Sequence, residues 1–269
     1  MRRPELPLLL SCCALLLAAC AKSPSVKPRV RGSEQIAPVY HVEDSEATKR
    51  RVRVREHLGL ALQRLSGGEL DAAAREAGKA LKLDPAAVDA HTLLAAVASA
   101  RGRTEEAGEH YRRAAELAPE RGDVLNNYGA WLCGNGYPAE ALVWFDRALA
   151  APGYPSPASA LANAGGCALR SGQLERAERD LRGALALDPV NPYALASMAE
   201  HEFRQGRYLQ ARAFAERRLA AAPADASVLQ LAAKIEERLG DGVAASRYQQ
   251  RLRTEFPQAA TANSGDNQQ

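Results

Sequence analysis

The feature that most constrains this chain is a spacing. A small residue, a glycine seven positions later and an alanine five beyond it recur as Ala61/Gly68/Ala73, Ala95/Gly102/Ala107, Gly129/Gly136/Ala141, Gly165/Gly172/Ala177, Ala199/Gly206/Ala211 and Ala233/Gly240/Ala245. Five of the six copies are closed by a proline twelve residues after the last alanine: Pro85, Pro119, Pro189, Pro223 and Pro257. Successive prolines stand 34, 70, 34 and 34 apart, so one copy carries two extra residues. A fixed period of this length marks a repeat protein, whose units bury their apolar faces by stacking on one another.

From Val54 the frames run 54–87, 88–121, 122–155, 158–191, 192–225 and 226–259, with Ser156 and Pro157 as the insertion. Each frame reads as two helices. The first ends near the glycine at its fifteenth position, where a backbone without Cβ can turn left-handed. Small residues at the eighth and twentieth positions let the paired helices approach. Proline near the thirty-second stops the second helix, having no N–H to donate. With 46% hydrophobic but only 5% aromatic residues, the chain suits thin, closely packed helices rather than a bulky core. The first helix is expected to start near Asp44 or Ser45, either of which can cap it, and to run longer than its counterparts.

The N-terminus reads as a targeting segment. Arg2 and Arg3 precede an apolar run over 6–19, too short for a permanent span, which needs roughly 20 apolar residues. It ends in Leu17-Ala18-Ala19-Cys20, which resembles the lipobox of bacterial lipoproteins. The resemblance implies a signal peptide over 1–19, lipidation of Cys20, acylation of the new terminus and a stable anchor of two or more chains. Ala21, in place of the aspartate of inner-membrane retention, favours the periplasmic face of the outer membrane. Residues 20–43 then form a lipidated flexible tether, and the polar tail 258–269 is expected to be disordered. The formal net charge of +3 falls to +2 without Arg2, Arg3 and Glu5, too small for a nucleic-acid footprint.

The frame resembles the tetratricopeptide repeat: large residue at 4, Leu at 7, Gly or Ala at 8, Ala at 20, large residue at 24, Ala at 27 and Pro at 32. That implies an all-α, right-handed superhelix of about six helix-turn-helix repeats over 44–257. Tyr111 and Phe145 hold position 24 in repeats two and three; repeats five and six depart, with Ala215 and Gln249 there and Arg218 and Leu252 at 27. Such solenoids bind partners on the concave face, lined near positions 2, 5, 9 and 12. In repeat one these are Arg55, Leu58, Leu62 and Leu65; in repeat two Asp89, Thr92, Ala96 and Ser99; in repeat three Asp123, Asn126, Ala130 and Cys133; in repeat six Ser227, Gln230, Lys234 and Glu237. The leucine stripe suggests docking of an apolar peptide or helix, unless the N-terminal segment covers it. Asn127 and Asn163, both at position 6, can bond either an extended peptide or adjacent loops.

No catalytic constellation stands out, so an enzyme is not expected, and no metal or cofactor. The five histidines lack metal-ligand spacing; His57 and His91 fall at position 4, where packing is expected. Glu175, Glu178 and Asp180 alternate with Arg176 and Arg179 as a solvated face. Of five cysteines, Cys133 and Cys167 alone remain in the mature solenoid unlipidated. First helices of successive tetratricopeptide repeats lie side by side, so the two thiols can form a disulfide; two buried unpaired thiols are the alternative. A zinc site lacks two ligands. Trp131, Tyr137 and Trp144 should make the third repeat the best-packed part of the chain.

The lipobox together with six repeats, NNYGAWLCGNG at 126–136, LANAGGCALRSG at 161–172 and NPYALASMAEHEFRQGRYLQAR at 191–212 resembles the type IV pilus biogenesis and stability lipoproteins, the PilF/PilW family. The resemblance implies a pilotin: an outer-membrane lipoprotein, monomeric, that binds the pilus secretin subunit and promotes its localisation and multimerisation, supporting pilus assembly and twitching motility. It also implies the Cys133–Cys167 disulfide, and a partner groove on Leu58, Leu62 and Leu65. Other readings are a tight-adherence pilus lipoprotein or a β-barrel assembly component.

Overall fold

The computed structural model describes residues 44–259; the signal segment, Cys20, the tether to residue 43 and the tail from 260 lie outside them. Among the described residues there are twelve principal α-helices and no strand, and residues 44–259 belong to one compact unit. They are α1 (Glu46–Ser66), α2 (Leu70–Leu83), α3 (Val88–Ala100), α4 (Thr104–Leu117), α5 (Gly122–Gly134), α6 (Pro138–Ala150), α7 (Pro157–Arg170), α8 (Leu174–Leu187), α9 (Pro192–Arg204), α10 (Tyr208–Ala221), α11 (Ala226–Leu239) and α12 (Gly242–Glu255). A single helical turn at 257–259 follows. Odd-numbered helices are the first helices of their repeats and even-numbered ones the second.

Helix ends follow local chemistry. Ser45 caps α1, its hydroxyl accepting from the Thr48 N–H at 3.1 Å; Asn191, Asp225 and Asp241 cap α9, α11 and α12 in the same way. Helix α1 has 21 residues against 13 or 14 for the others, so it extends beyond the repeat frame at its N-terminal end. At position 15, Gly68, Gly102, Gly136, Gly172, Gly206 and Gly240 all take φ between 71° and 92°, where an L side chain would be strained. The two-residue insertion sits slightly earlier than expected. Four residues connect α2 to α3, α4 to α5, α8 to α9 and α10 to α11, whereas six, 151–156, connect α6 to α7. Pro157 therefore lies in the first turn of α7, where its missing N–H costs nothing.

In four of the six repeats side-chain volume is exchanged across the helix pair. A Cβ at Gly129 would lie 2.8 Å from Phe145 Cε1; one at Gly165 would lie 2.6 Å from Leu181 Cγ and 3.0 Å from the Leu181 backbone nitrogen. Repeats three and four therefore place glycine at position 8 opposite a large residue at 24. Repeats one and five have alanine at both positions, Ala61 with Ala77 and Ala199 with Ala215, and all four are buried. Leu125, Phe145 and Cys167, fully buried, belong to a hydrophobic cluster centred on α5, α6 and α7, with Trp131 and Trp144 packed against it. Tyr128 stacks with Trp131 at 6.0 Å and meets Trp144 edge-on at 4.7 Å. Tyr137 does not join them: it is 55% exposed, because it precedes Pro138 at the turn into α6.

The departures in the late repeats have partners. Arg218 is buried; it donates to the carbonyls of Ala222 and Pro223, each at 3.1 Å, and to Asp225 Oδ2 at 2.8 Å, tying the end of α10 to the cap of α11. Glu236 on α11 is buried against Arg212 of α10, and Glu202 against Arg207. Asp180 is not on a solvated face as expected: it is 6% exposed and accepts from Arg176 at 3.2 Å and Arg179 at 3.0 Å.

Gly165→Val tests the position-8 contact. Overpacking a tight core contact costs about 1–3 kcal/mol, and chemical denaturation should show a loss in that range. The exposed Gly134, where an added Cβ meets nothing within 4 Å, should tolerate alanine without such a loss.

Candidate functional site

First helices line the concave face, and the expected groove residues divide by environment. Leu62 is 56% exposed and Arg55 is exposed. Leu58 is half-buried, packed with Val54 and Leu81 against Ala80, Ala87 and Ala90; Leu65 is half-buried as well. The leucine stripe is thus anchored at Leu58 and open at Leu62. Beside it lies a cleft of about 600 Å³ lined by Arg50, Arg51, Val54, Arg55, Leu58, Leu83, Asp84, Pro85 and Asp89. Its α1 wall carries three arginines, its floor is apolar, and two carboxylates stand opposite. Such a site suits an extended or helical segment with apolar side chains and at least one acidic group.

Farther along, several of the expected polar groove residues hydrogen-bond within the solenoid. Thr92 Oγ1 donates to its own helix at the Val88 carbonyl, 3.2 Å. Asn126 is 9% exposed, and Asn163 Nδ2 donates to Asn126 Oδ1 at 3.0 Å, joining α7 to α5. That bond engages neither a loop nor a peptide, which were the two expectations for Asn163. Asn127 is half-buried on the same helix as Asn126.

Cys133 and Cys167 are joined by a disulfide, their Cα atoms 5.8 Å apart, and both are at least nine-tenths buried. Arg170 reinforces the same junction by donating to the Cys133 carbonyl at 3.3 Å, and Arg204 repeats the contact one unit on, to the Leu169 carbonyl at 3.0 Å. These arginines help to frame a second concavity of about 300 Å³ over α7, α9 and α11. Its lining includes Gly166, Leu169, Tyr193, Ala196, Glu200 and Leu231. Tyr193 lies against Gly166, where an added Cβ would be 2.5 Å from its hydroxyl. This part of the face was not expected. Applying positions 2, 5 and 9 to repeat five would have named Tyr193, Ala196 and Glu200.

The position-4 histidines are polar partners between the two helices of a repeat, not apolar filler. His57 Nδ1 lies 2.8 Å from Glu76 Oε2, and Lys79 donates to Glu76 Oε1 at 2.7 Å. Lys79 first, then His57, holds Glu76 below the usual carboxylate range. His91 Nδ1 is 3.0 Å from His110 Nδ1, an arrangement that accommodates one shared proton and not two. Burial, and then the charge of His91, pushes His110 below the ordinary histidine value. His201 is fully buried with no hydrogen-bond partner at either ring nitrogen, and Glu178 Oε2 lies 3.6 Å from its Nε2. Among the described residues no group of three or more His, Cys, Asp or Glu is placed to hold a metal ion.

Two outcomes follow for stability. The disulfide closes a sequence separation of 34 residues. A loop of that length contributes roughly 3–4 kcal/mol in the chain-entropy picture, so reductant or a Cys133→Ser/Cys167→Ser variant should lower the denaturation midpoint accordingly. Thiol titration of the unreduced mature solenoid should find neither cysteine free. Because the folded state lowers the pKa of His110, the unfolded chain takes up this proton first as pH falls. Stability from this pair is full above the unfolded value of about 6.5 and declines below it. Thermal melts at pH 7.5 and 5.5 should show a drop that His110→Gln reduces.

Tetratricopeptide-repeat family models match residues 58–122, 134–192 and 168–235, together more than half of the chain. Over 201 residues the chain is 26% identical to the type IV pilus assembly protein PilF of Pseudomonas aeruginosa, covering 75% of this chain and 80% of that one. The crystal structure of PilW, a widely conserved type IV pilus biogenesis factor, superimposes with a TM-score of 0.70 at 29% identity, covering 81% of this chain and 99% of that one. The structure of Pseudomonas aeruginosa PilF gives 0.69 over the same shares, at 24% identity.

Proposed function

Because the chain belongs to the tetratricopeptide-repeat family and resembles PilF and PilW along most of its length, we propose that it is a type IV pilus biogenesis scaffold of the pilotin kind. In this reading it is held by acylated Cys20 at the periplasmic face of the outer membrane. It binds the pilus secretin subunit and promotes its localisation and multimerisation, without catalysing a reaction. The observation that carries the reading is coverage: the PilW likeness spans 99% of that structure, so the resemblance is to the whole array and not to a generic repeat pair.

The mechanism follows from the shape and chemistry of the first repeat. An apolar segment of the secretin subunit loses water against Leu62 and the exposed edge of Leu58, while Arg51 and Arg55 meet its carboxylates. Desolvating one fully exposed leucine is worth about 1.5–3 kcal/mol, so several such contacts are needed for a stable complex, and a long concave face supplies them. The disulfide and the aromatic centre keep that face in one curvature, which lowers the ordering cost of binding.

Leu62→Glu tests it. The variant should keep its helicity yet fail to co-purify the secretin subunit from detergent-solubilised outer membrane, and it should not restore secretin multimers in a deletion strain. Unchanged capture removes the first-repeat groove from the reading; normal secretin multimers without the protein remove the pilotin reading itself.

A further inference from the structure

Position 4 of the first helix meets position 23 of the second in repeats one and two, and both contacts are polar. In repeat one His57 meets Glu76, which Lys79 also contacts, so base and acid satisfy one another. Repeat two sets His91 of α3 against His110 of α4, imidazole against imidazole, with the two Nδ1 atoms 3.0 Å apart. Two Lewis bases converge there, and a single proton is all that joins them.

The partners fix the tautomers. His91 Nε2 lies 3.3 Å from the Pro85 carbonyl, which can only accept, so the His91 proton is on Nε2 and its Nδ1 presents a lone pair. The His110 Nδ1–H donates to that lone pair. Anchoring the far N–H on a backbone carbonyl is how metal-binding histidines are held and aimed. The rings are tilted by 46° with centroids 5.3 Å apart, and both residues are half-buried. Glu106 and Glu109 are the carboxylates acting on His110, and both favour a positive charge beside it.

The spacing selects a class of ion. Two nitrogens about 2.0–2.1 Å from one metal and about 90° apart stand about 2.8–3.0 Å from each other, whereas a tetrahedral ion would set them about 3.3–3.4 Å apart. Imidazole ligands at a right angle suit copper(II), which also heads the affinity order of the divalent first-row ions. We propose that His91 and His110 chelate one copper(II) ion through their two Nδ1 atoms, with water at its remaining positions. The ion takes the place of the shared proton, and His110 carries its proton on Nε2 instead, so both rings stay neutral. Bound there, it would clamp α3 to α4 within repeat two. Pro85, the acceptor for His91, also lines the first-repeat cleft, so the site adjoins that cleft. None of this rests on the pilotin reading.

The test is titration of the untagged chain beginning at residue 21 with copper(II), glycine being present as a weak competitor. Calorimetry should find one ion retained, and electron paramagnetic resonance should count two imidazole nitrogens on it. His91→Gln and His110→Gln should each weaken binding by at least about a hundredfold, since even a lost outer-shell partner costs up to about that much. His41→Gln/His57→Gln, which leaves the pair alone, should bind as the parent does. Failure to hold copper against glycine, fewer than two imidazole nitrogens, or unchanged affinity in either single variant would overturn the proposal. So would loss of binding in the His41→Gln/His57→Gln control. Circular dichroism without copper confirms that the variants fold, and the nitrogen count in the parent tests the site without any substitution.

Discussion

The structure depends on how closely the two helices of each repeat approach at position 8. At Gly129 and Gly165 there is no room for a Cβ, because Phe145 and Leu181 occupy the space. Where the facing residue is alanine, as at Ala77 and Ala215, alanine returns to position 8. In these four repeats the space between the helices is filled from one side or the other, whereas repeats two and six set alanine opposite Tyr111 and Gln249. Stacking of the six units places the same helix positions on one concave face. Interiors packed to crystal-like density leave no slack to absorb a mismatch.

Given that register, the three parts of the array are held by different forces. The centre combines aromatic packing around Phe145, Tyr128 and Trp144 with the covalent Cys133–Cys167 link. The late repeats rely on buried arginine–carboxylate pairs, with Arg218 reaching from the end of one helix to the cap of the next. The first repeat has neither; it begins with an overlong, arginine-rich helix, α1. In the proposed reading the docking end is the first repeat, where Leu62 is exposed, and the covalent link that stiffens the array lies behind it.

Much of this was legible in the residues. Gly68 and its equivalents announced left-handed turns because only glycine reaches that φ without strain, and Pro85 and its equivalents announced helix ends because they lack an N–H. Ser45 was readable as a cap from its hydroxyl and its place before a helical run. What misled were residues whose partner lies far along the chain. Asp180 reads as surface on its own helix, yet it is buried under two arginines. Asn163 reads as a partner for a peptide or a loop until Asn126, 37 residues earlier, is seen to accept from it. Tyr137 reads as core by its chemistry, but the turn before Pro138 leaves it in water.

The sequence by itself determined the period, the helix ends and the pairing of small with large residues, because each rests on backbone conformation or on volume within one repeat. Only the tertiary structure decided which polar groups are buried, which half of the leucine stripe stays open, and that a second concavity runs over α7, α9 and α11. Those outcomes depend on the rotation and rise from one repeat to the next. That step is set by many weak contacts between units and by no single residue, so it cannot be read from one repeat alone.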